Sequence, residues 1–166
     1  DNIAYTAIDQ PGLTGADILE VVDIAAGGQL SVIESFQSEE HSSFLDIDIS
    51  GNYAYIADHW NGMRILDLED PCNIQQVTTY GLTSYEHGVA AGAEPFVYVS
   101  SGDKNGGRLT SVDASNPDAP FQAGACSTQA YPAQSNIAVK NDICYVLSEN
   151  AMEIVDVSDP SGPNVV

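Results

Sequence analysis

The feature that most constrains the fold of this chain of 166 residues is an internal repeat. A tyrosine recurs at intervals of 50, 43 and 47 residues, and an aspartate recurs at intervals of 44, 46 and 43 residues. Two independent anchors with nearly the same period indicate a repeat protein. The tyrosines are Tyr5, Tyr55, Tyr98 and Tyr145, and the aspartates are Asp23, Asp67, Asp113 and Asp156.

Each repeat contains short segments with the pattern of β-strands. In the second repeat they cover residues 44–49, 52–58, 63–68 and 74–80, with turn residues such as Asn61-Gly62 between them. Side chains along residues 52–58 follow a period of two, as expected of a strand. No window shows a sustained helical period. Units of about 45 residues with four strands each predict the blades of a propeller.

The sequence therefore predicts an all-β protein, a β-propeller built of four-stranded antiparallel blades. We expect one segment over residues 1–166, with repeat units of approximately 1–50, 51–93, 94–140 and 141–166. Two blades are expected to be full and two incomplete, since the chain opens on a second strand and stops at the start of a fourth. A closed propeller needs about 4–8 blades. We therefore expect part of a larger propeller, or a protein whose remaining strands come from elsewhere.

The residues around the repeated aspartates resemble a known family. The segments VVDI, ILDLEDP, SVDASNP and IVDVSDP each follow a strand that contains the repeated tyrosine. They look like LVIVD repeats, which occur in bacteria and archaea. The resemblance implies a β-propeller in an envelope or secreted, and hence extracytoplasmic, setting. It implies no general catalytic motif. The first repeat departs from the pattern, because Ala25-Ala26-Gly27-Gly28 replaces the Asp-Pro turn.

The charge of the chain excludes several classes of partner. It has 4 Lys and Arg against 24 Asp and Glu, which gives a formal net charge of −20. Nucleic acids and anionic membrane surfaces are bound by clusters of Lys and Arg, which this chain cannot supply. No apolar run approaches the roughly 18 residues of a membrane span, so no membrane insertion is expected. The acidic surface favours cationic partners or bridging divalent ions.

The repeated aspartates and tyrosines are interpreted as structural residues. Each aspartate comes just before a turn, where a carboxylate oxygen can accept backbone N–H bonds, as in an Asx-turn. The tyrosines are expected within strands and in the core. Neither set predicts a ladder of ligand contacts.

Binding residues are expected on the loops that differ between blades. In a four-stranded antiparallel blade, the loop between the second and third strands and the loop that enters the next blade share one face. In this chain those loops hold all three histidines, each among carboxylates. Exposed aromatic side chains there favour contacts with sugars or proteins. The candidates for this binding face are Asp58, His59, Trp60, Tyr85, Glu86 and His87.

The same face is a candidate metal site. Imidazole with carboxylate suits zinc, copper or iron, and carboxylate with carbonyl oxygen suits calcium, so a divalent cation is a candidate cofactor. The alternative is a chance grouping of surface histidines. A carboxylate pair on an inner strand, facing the channel, either chelates a cation, performs acid–base chemistry or forms a hydrated acidic wall. The candidate metal ligands are His41, His59, His87, Asp46 and Asp48.

No catalytic residue is predicted, because the sequence has no nucleophile elbow, phosphate-binding loop or zinc-protease motif. The sequence favours a non-enzymatic extracellular scaffold that binds protein or polysaccharide, with or without a bridging cation. One alternative is a metal-binding accessory protein or metal-dependent enzyme that uses the His/carboxylate cluster. A third is a self-assembling structural protein whose unpaired strand edges associate.

Overall fold

The computed structural model describes residues 3–8, 16–25, 27–39, 42–82, 85–103, 106–129, 136–148 and 151–166. These residues form fifteen β-strands, arranged in four antiparallel sheets. The prediction of an all-β protein is confirmed. None of the described residues belongs to a helix long and apolar enough to cross a membrane.

Each sheet is a meander, in which strands that follow one another in the chain are neighbours. Sheet 1 consists of β1 (Ile3–Ile8), β2 (Ile18–Ile24) and β3 (Leu30–Gln37). Sheet 2 consists of β4 (Phe44–Ser50), β5 (Tyr53–Asp58), β6 (Gly62–Asp67) and β7 (Gln75–Tyr80). Sheet 3 consists of β8 (Tyr85–Ala91), β9 (Phe96–Asp103), β10 (Gly106–Asp113) and β11 (Phe121–Thr128). Sheet 4 consists of β12 (Asn136–Lys140), β13 (Ile143–Leu147), β14 (Met152–Asp156) and β15 (Asn164–Val165).

The strand bounds of sheet 2 lie within one residue of the predicted segments. The predicted repeat units start at the second strand of a sheet, whereas sheets 2, 3 and 4 start at β4, β8 and β12. Within the described residues, sheet 1 has three strands and the last strand of sheet 4 has two residues. Sheets 2 and 3 have four strands of six to eight residues each.

Three of the four repeated aspartates close a turn with the backbone, as predicted. The N–H groups of Glu69, Ser115 and Ser158 donate to the Oδ1 atoms of the aspartates two residues earlier, at 2.8, 2.9 and 2.9 Å. These bonds satisfy backbone N–H groups that follow the ends of the strands and therefore have no partner in the sheet. In the first repeat the turn is closed instead by the N–H of Ala25, which donates to the carbonyl of Gln29 at 2.9 Å.

The sheets pack face to face in chain order, and each contact contains an apolar core. We call the side of a sheet that packs toward the next sheet its leading face, and the other side its trailing face. In sheet 2 the leading face carries Tyr55, Ala57, Met63 and Ile65, which lie in the core shared with sheet 3. Its trailing face carries Ala54, Ile56, Leu66 and Leu68, which lie in the core shared with sheet 1. Both faces are apolar because the sheet is covered on both sides.

Candidate functional site

Four aromatic side chains meet where the β5–β6 turn approaches the start of β8. His59 lies with its ring centroid 4.6 Å from Trp60, 5.0 Å from Tyr85 and 5.1 Å from His87. Trp60 also contacts Tyr85, with 4.6 Å between ring centroids. Trp60 and Tyr85 are exposed, whereas the two histidines are half-buried. We call His59, Trp60, Tyr85 and His87 the aromatic cluster.

The turn that carries this cluster is held by backbone bonds. The N–H of Asn61 donates to the carbonyl of Asp58 at 2.6 Å, and the N–H of Glu86 donates to the carbonyl of His59 at 3.1 Å. The second bond joins sheet 2 to sheet 3. Gly62 has a φ of +98°, and a Cβ atom there would lie 2.2 Å from the carbonyl oxygen of Tyr80. Glycine is therefore required for β6 to start this close to β7.

Asp58, a predicted binding-face residue, is buried beneath the turn. Its Oδ1 accepts the N–H of Ser43 at 2.9 Å and the side-chain amide of Asn61 at 3.2 Å. Its Oδ2 accepts the hydroxyl of Ser42 at 3.1 Å and the guanidinium of Arg64 at 2.7 Å. The carboxylate thus holds the turn from below, and a ligand on the surface does not reach it.

Arg64 is the residue of this site that the sequence analysis missed. It is buried, and its guanidinium donates to Asp58, to the hydroxyl of Ser42 at 3.1 Å and to the side-chain carbonyl of Gln76. The ring of Phe44 lies 5.6 Å from its Cζ. An arginine inside an apolar strand is the signal that could have identified it, since a buried charge needs a partner.

Glu86, a second predicted binding-face residue, is also buried. Among the described residues, its Oε1 has no hydrogen-bond partner. Burial raises the pKa of Glu86 to about 8, the negative charge of Asp58 adds to this increase, and backbone hydrogen bonds oppose it. The side chain is therefore mostly neutral at pH 7, which removes the cost of a buried charge without a partner.

The aromatic cluster is uncharged at neutral pH. Burial lowers the pKa of His87 to about 4, and the neighbouring His59 adds to the decrease. Burial also lowers the pKa of His59, against the opposing effect of Asp58. In a chain with a net charge of −20, the cluster is a neutral patch with neutral imidazoles.

Beside this patch is a polar recess of about 220 Å³, lined by Glu39, Ser42, Asn61, Arg64, Gln76 and Thr79. Asn61, which lines the recess, directly follows Trp60 of the aromatic cluster in the chain. The recess offers amide and hydroxyl groups together with the Glu39 carboxylate and the Arg64 guanidinium, and the cluster offers exposed rings. A second cleft, of about 350 Å³, lies between sheets 2 and 3 and includes residues of the β4–β5 and β8–β9 turns.

The predicted metal ligands are brought together only in part. His59 and His87 are neighbours, whereas His41 lies outside the described residues. Across the described part of the chain, no group of three or more His, Cys, Asp or Glu side chains is arranged to hold a metal ion.

Asp46 and Asp48 lie on the first strand of sheet 2, where both carboxylates bridge to the first strand of sheet 3. Asp46 accepts the N–H of Ile47 at 2.9 Å and the N–H of Val89 at 3.0 Å. Asp48 accepts the N–H of Ile49 at 2.8 Å and the N–H of Ala91 at 2.9 Å. Burial raises the pKa of Asp46, and the hydrogen bonds that Asp46 accepts from the N–H groups of Val89 and Ile47 oppose this rise.

These bonds make the carboxylate pair a structural link between two inner strands. The spacing of the aspartates, at i and i+2, equals the spacing of the backbone donors that they meet on β8. That spacing is the sequence signal for such a link. It can be interpreted only when the neighbouring strand is known.

Comparison with known protein families gives a match that covers more than half of the chain. The family described as LVIVD repeat matches residues 44–81, 93–128 and 133–166. Among curated proteins, no match is found.

Solved structures give the fold. A functionally unknown protein from Desulfotomaculum acetoxidans DSM 771 is similar with a TM-score of 0.71 and 14% sequence identity, over 96% of this chain and 55% of that chain. The computationally designed Ika4 protein has a TM-score of 0.62 and 11% identity, over 93% of this chain and 84% of that chain. Glutaminyl cyclase from Myxococcus xanthus has a TM-score of 0.58 and 13% identity, over 89% of this chain and 61% of that chain. This chain therefore spans about half the length of the first of these structures. The similarities show a propeller-like fold.

Proposed function

Since the chain belongs to the LVIVD-repeat family, we propose that it is a non-enzymatic, extracytoplasmic β-propeller scaffold that binds a polysaccharide or a protein. The observation that carries the proposal is the aromatic cluster with its exposed Trp60 and Tyr85. Large aromatic side chains at the surface are typical of recognition sites, because they bury much apolar area with little loss of side-chain freedom.

A polysaccharide fits this surface best. One face of a sugar ring is apolar and packs on an aromatic ring, while its hydroxyl groups need polar partners at the edge. Trp60 and Tyr85 supply the rings, and Asn61, Gln76 and Thr79 supply amide and hydroxyl groups in the adjoining recess. The neutral imidazoles of the cluster each have one donor and one acceptor nitrogen, the groups that sugar hydroxyls bind.

A cationic segment of a protein is the second candidate, supported by the net charge of −20. Lys and Arg side chains are attracted by acidic surfaces and by the faces of Trp and Tyr. The two ligands differ in salt dependence, because screening weakens binding of a cationic peptide and leaves binding of a neutral sugar unchanged.

Trp60 is the only tryptophan of the chain, so its fluorescence reports directly on the proposed site. We expect neutral oligosaccharides from a panel of linkages to change this fluorescence in a saturable way. Tyr85→Ala is expected to weaken that binding about tenfold or more, while keeping the reporter. Phe121→Ala, which removes an exposed aromatic ring of sheet 3 away from the cluster, is the matched control and is expected to have no effect.

Saturable binding that Tyr85→Ala leaves unchanged would exclude the aromatic cluster as the contact. If only Lys- and Arg-rich peptides bind, and binding falls with added salt, the ligand is a protein and not a polysaccharide. The proposed location is tested by cell fractionation, where we expect the protein outside the cytoplasmic fraction.

A further inference from the structure

The leading face of sheet 4 is apolar and open to solvent. Tyr145, Leu147, Met152 and Ile154 are 38%, 49%, 62% and 39% exposed. They form one contiguous patch, because Tyr145 pairs with Ile154 and Leu147 pairs with Met152 across β13 and β14. Scattered exposed apolar residues are ordinary, but a continuous sheet face of four large side chains is not.

The equivalent face of sheet 2 shows what such a face does in this fold. Tyr55 pairs with Ile65, and Ala57 pairs with Met63, in the same register as the pairs of sheet 4. These four side chains are at most 5% exposed, because sheet 3 covers them. The leading face of sheet 4 therefore has the composition and register of a face that packs against another sheet.

The second open face is the trailing face of sheet 1, the first sheet in chain order. On the trailing face of sheet 1, Leu30 and Val32 of β3 are 68% and 54% exposed, beside the half-buried Val22 and Ile24 of β2. By their offset from the repeated aspartate, Val22 and Ile24 correspond to Leu66 and Leu68 of sheet 2. In sheet 2 those leucines are buried against sheet 1, together with Ile74.

We propose that the leading face of sheet 4 binds the trailing face of sheet 1 of a second copy of this chain. Leading and trailing faces pack together three times within one chain, so the two open faces are the two halves of an interface that this protein already makes. Two copies joined at both ends place eight sheets in one ring, which lies within the range of about 4–8 blades for closed propellers.

This association uses sheet faces, whereas the third alternative drawn from the sequence is association through unpaired strand edges. It is a head-to-tail contact, since the two surfaces that meet are different. The copies each carry a net charge of −20 and repel one another over a distance that salt shortens. The apolar contact is therefore expected to strengthen as salt is added.

The first test measures molar mass by light scattering from micromolar to millimolar protein at raised salt. We expect the unsubstituted chain to reach twice the mass of one copy. Met152→Glu and Leu30→Glu each alter one open face and are each expected to weaken association about tenfold or more. Phe121→Glu, at an exposed apolar position away from both faces, is the control and is expected to associate normally.

The second test mixes the two variants. A mixture of Met152→Glu and Leu30→Glu still holds one intact pair of faces, so it is expected to form a two-copy species that neither variant forms alone. Circular dichroism checks that both variants fold, which we expect because both side chains are exposed in a single copy.

Two results would overturn the proposal. If the Leu30→Glu variant keeps the mass of the unsubstituted chain, the contact does not involve sheet 1. If the unsubstituted chain stays monomeric at every concentration, a second copy is not the occupant, and a further blade of a longer chain becomes the candidate.

Discussion

Sheets 2 and 4 share their strand order, register and turn chemistry, yet they occupy different environments. Sheet 2 is covered on both faces, contains a buried ion pair and supports the aromatic cluster. Sheet 4 is covered on its trailing face alone within the described residues, and its last strand has two residues. The repeat thus sets the local structure of a sheet. The adjacent sheets set how deeply each side chain is buried and how much it contributes to the free energy of unfolding.

The largest expected difference concerns the buried Asp58–Arg64 pair, which has 2.7 Å between Oδ2 and Nη2. Arg64→Met leaves the Asp58 carboxylate buried without its cation, and we expect the free energy of unfolding to fall by about 3–5 kcal/mol. Glu153, the residue of sheet 4 in the equivalent register, is half-buried, so Glu153→Gln is the matched control. We expect the control to lose about 1 kcal/mol or less. Urea unfolding measures both, and equal losses would contradict the comparison.

The next difference concerns two methionines at equivalent positions. Met63 is fully buried between sheets 2 and 3, so Met63→Ala is expected to lower the free energy of unfolding by about 2–5 kcal/mol. Met152 is exposed in one copy, so Met152→Ala is expected to change it by no more than about 0.5 kcal/mol. The measurement uses dilute protein, where sheet 4 stays uncovered. A large loss in Met152→Ala under those conditions would mean that sheet 4 is already covered.

A smaller effect tests the polar interior at the junction of sheets 2 and 3. The folded chain holds the pKa of Glu86 at about 8, above its ordinary value of 4.5, so the folded state binds the extra proton between these values. This group therefore makes the free energy of unfolding fall as pH rises from about 4.5 to about 8. His87, whose pKa is lowered from 6.5 to about 4, acts in the opposite direction in the acidic range, where its contribution rises with pH.

Glu86→Gln isolates the Glu86 contribution, because it removes the proton equilibrium and keeps the size of the side chain. Between about pH 6.5 and pH 8 we expect the variant to lose less stability than the parent chain, by on the order of 1–2 kcal/mol. Thermal and urea unfolding across this range measure the difference. Parallel pH profiles for the two proteins would show that Glu86 keeps an ordinary pKa.

The smallest expected effect concerns the carboxylate links of β4. Asp48→Ala removes the acceptor of the Ile49 and Ala91 N–H groups, and we expect a loss of about 1 kcal/mol, because water partly replaces the lost bonds. By register, Ala138 of sheet 4 occupies the position of Asp48, since they pair with Tyr145 and Tyr55. Ala138→Asp adds a carboxylate where no following sheet is described and is expected to change stability by under about 0.5 kcal/mol. A loss in Asp48→Ala no larger than this control would show that the link contributes nothing.

The sequence predicts the local structure of each sheet, and it does not predict the contacts that the sheet makes with its neighbours. The period located the strands of sheet 2, and the residues before each turn predicted the aspartate bonds of three repeats. The meander topology placed His59 and His87 on one face. These features depend on residues that are close in the chain or on the connection rule of the fold.

Features that depend on contact between distant residues were not predictable. The pairing of Arg64 with Asp58 requires the relative placement of β5 and β6 and of the segment before β4. The burial of Glu86 requires the position of sheet 3 against the β5–β6 turn. The role of Asp46 and Asp48 requires the backbone donors of β8, so the spacing of the two aspartates can be interpreted only when the position of β8 is known.

The carboxylate links have a mechanical consequence. Among the described residues, Asp46 and Asp48 link the first strand of sheet 2 to the first strand of sheet 3. The residues equivalent to Asp48 are Ala90 on β8 and Ala138 on β12, which have no carboxylate to form such a link. Two acidic side chains thus tie the first strands of sheets 2 and 3, whereas sheet 4 is tied to sheet 3 farther out, by Tyr98 and Ser111, which donate to the carbonyls of Val157 and Pro160. Under a stretching force, the first strands of sheets 2 and 3 are expected to separate later than the first strands of sheets 3 and 4.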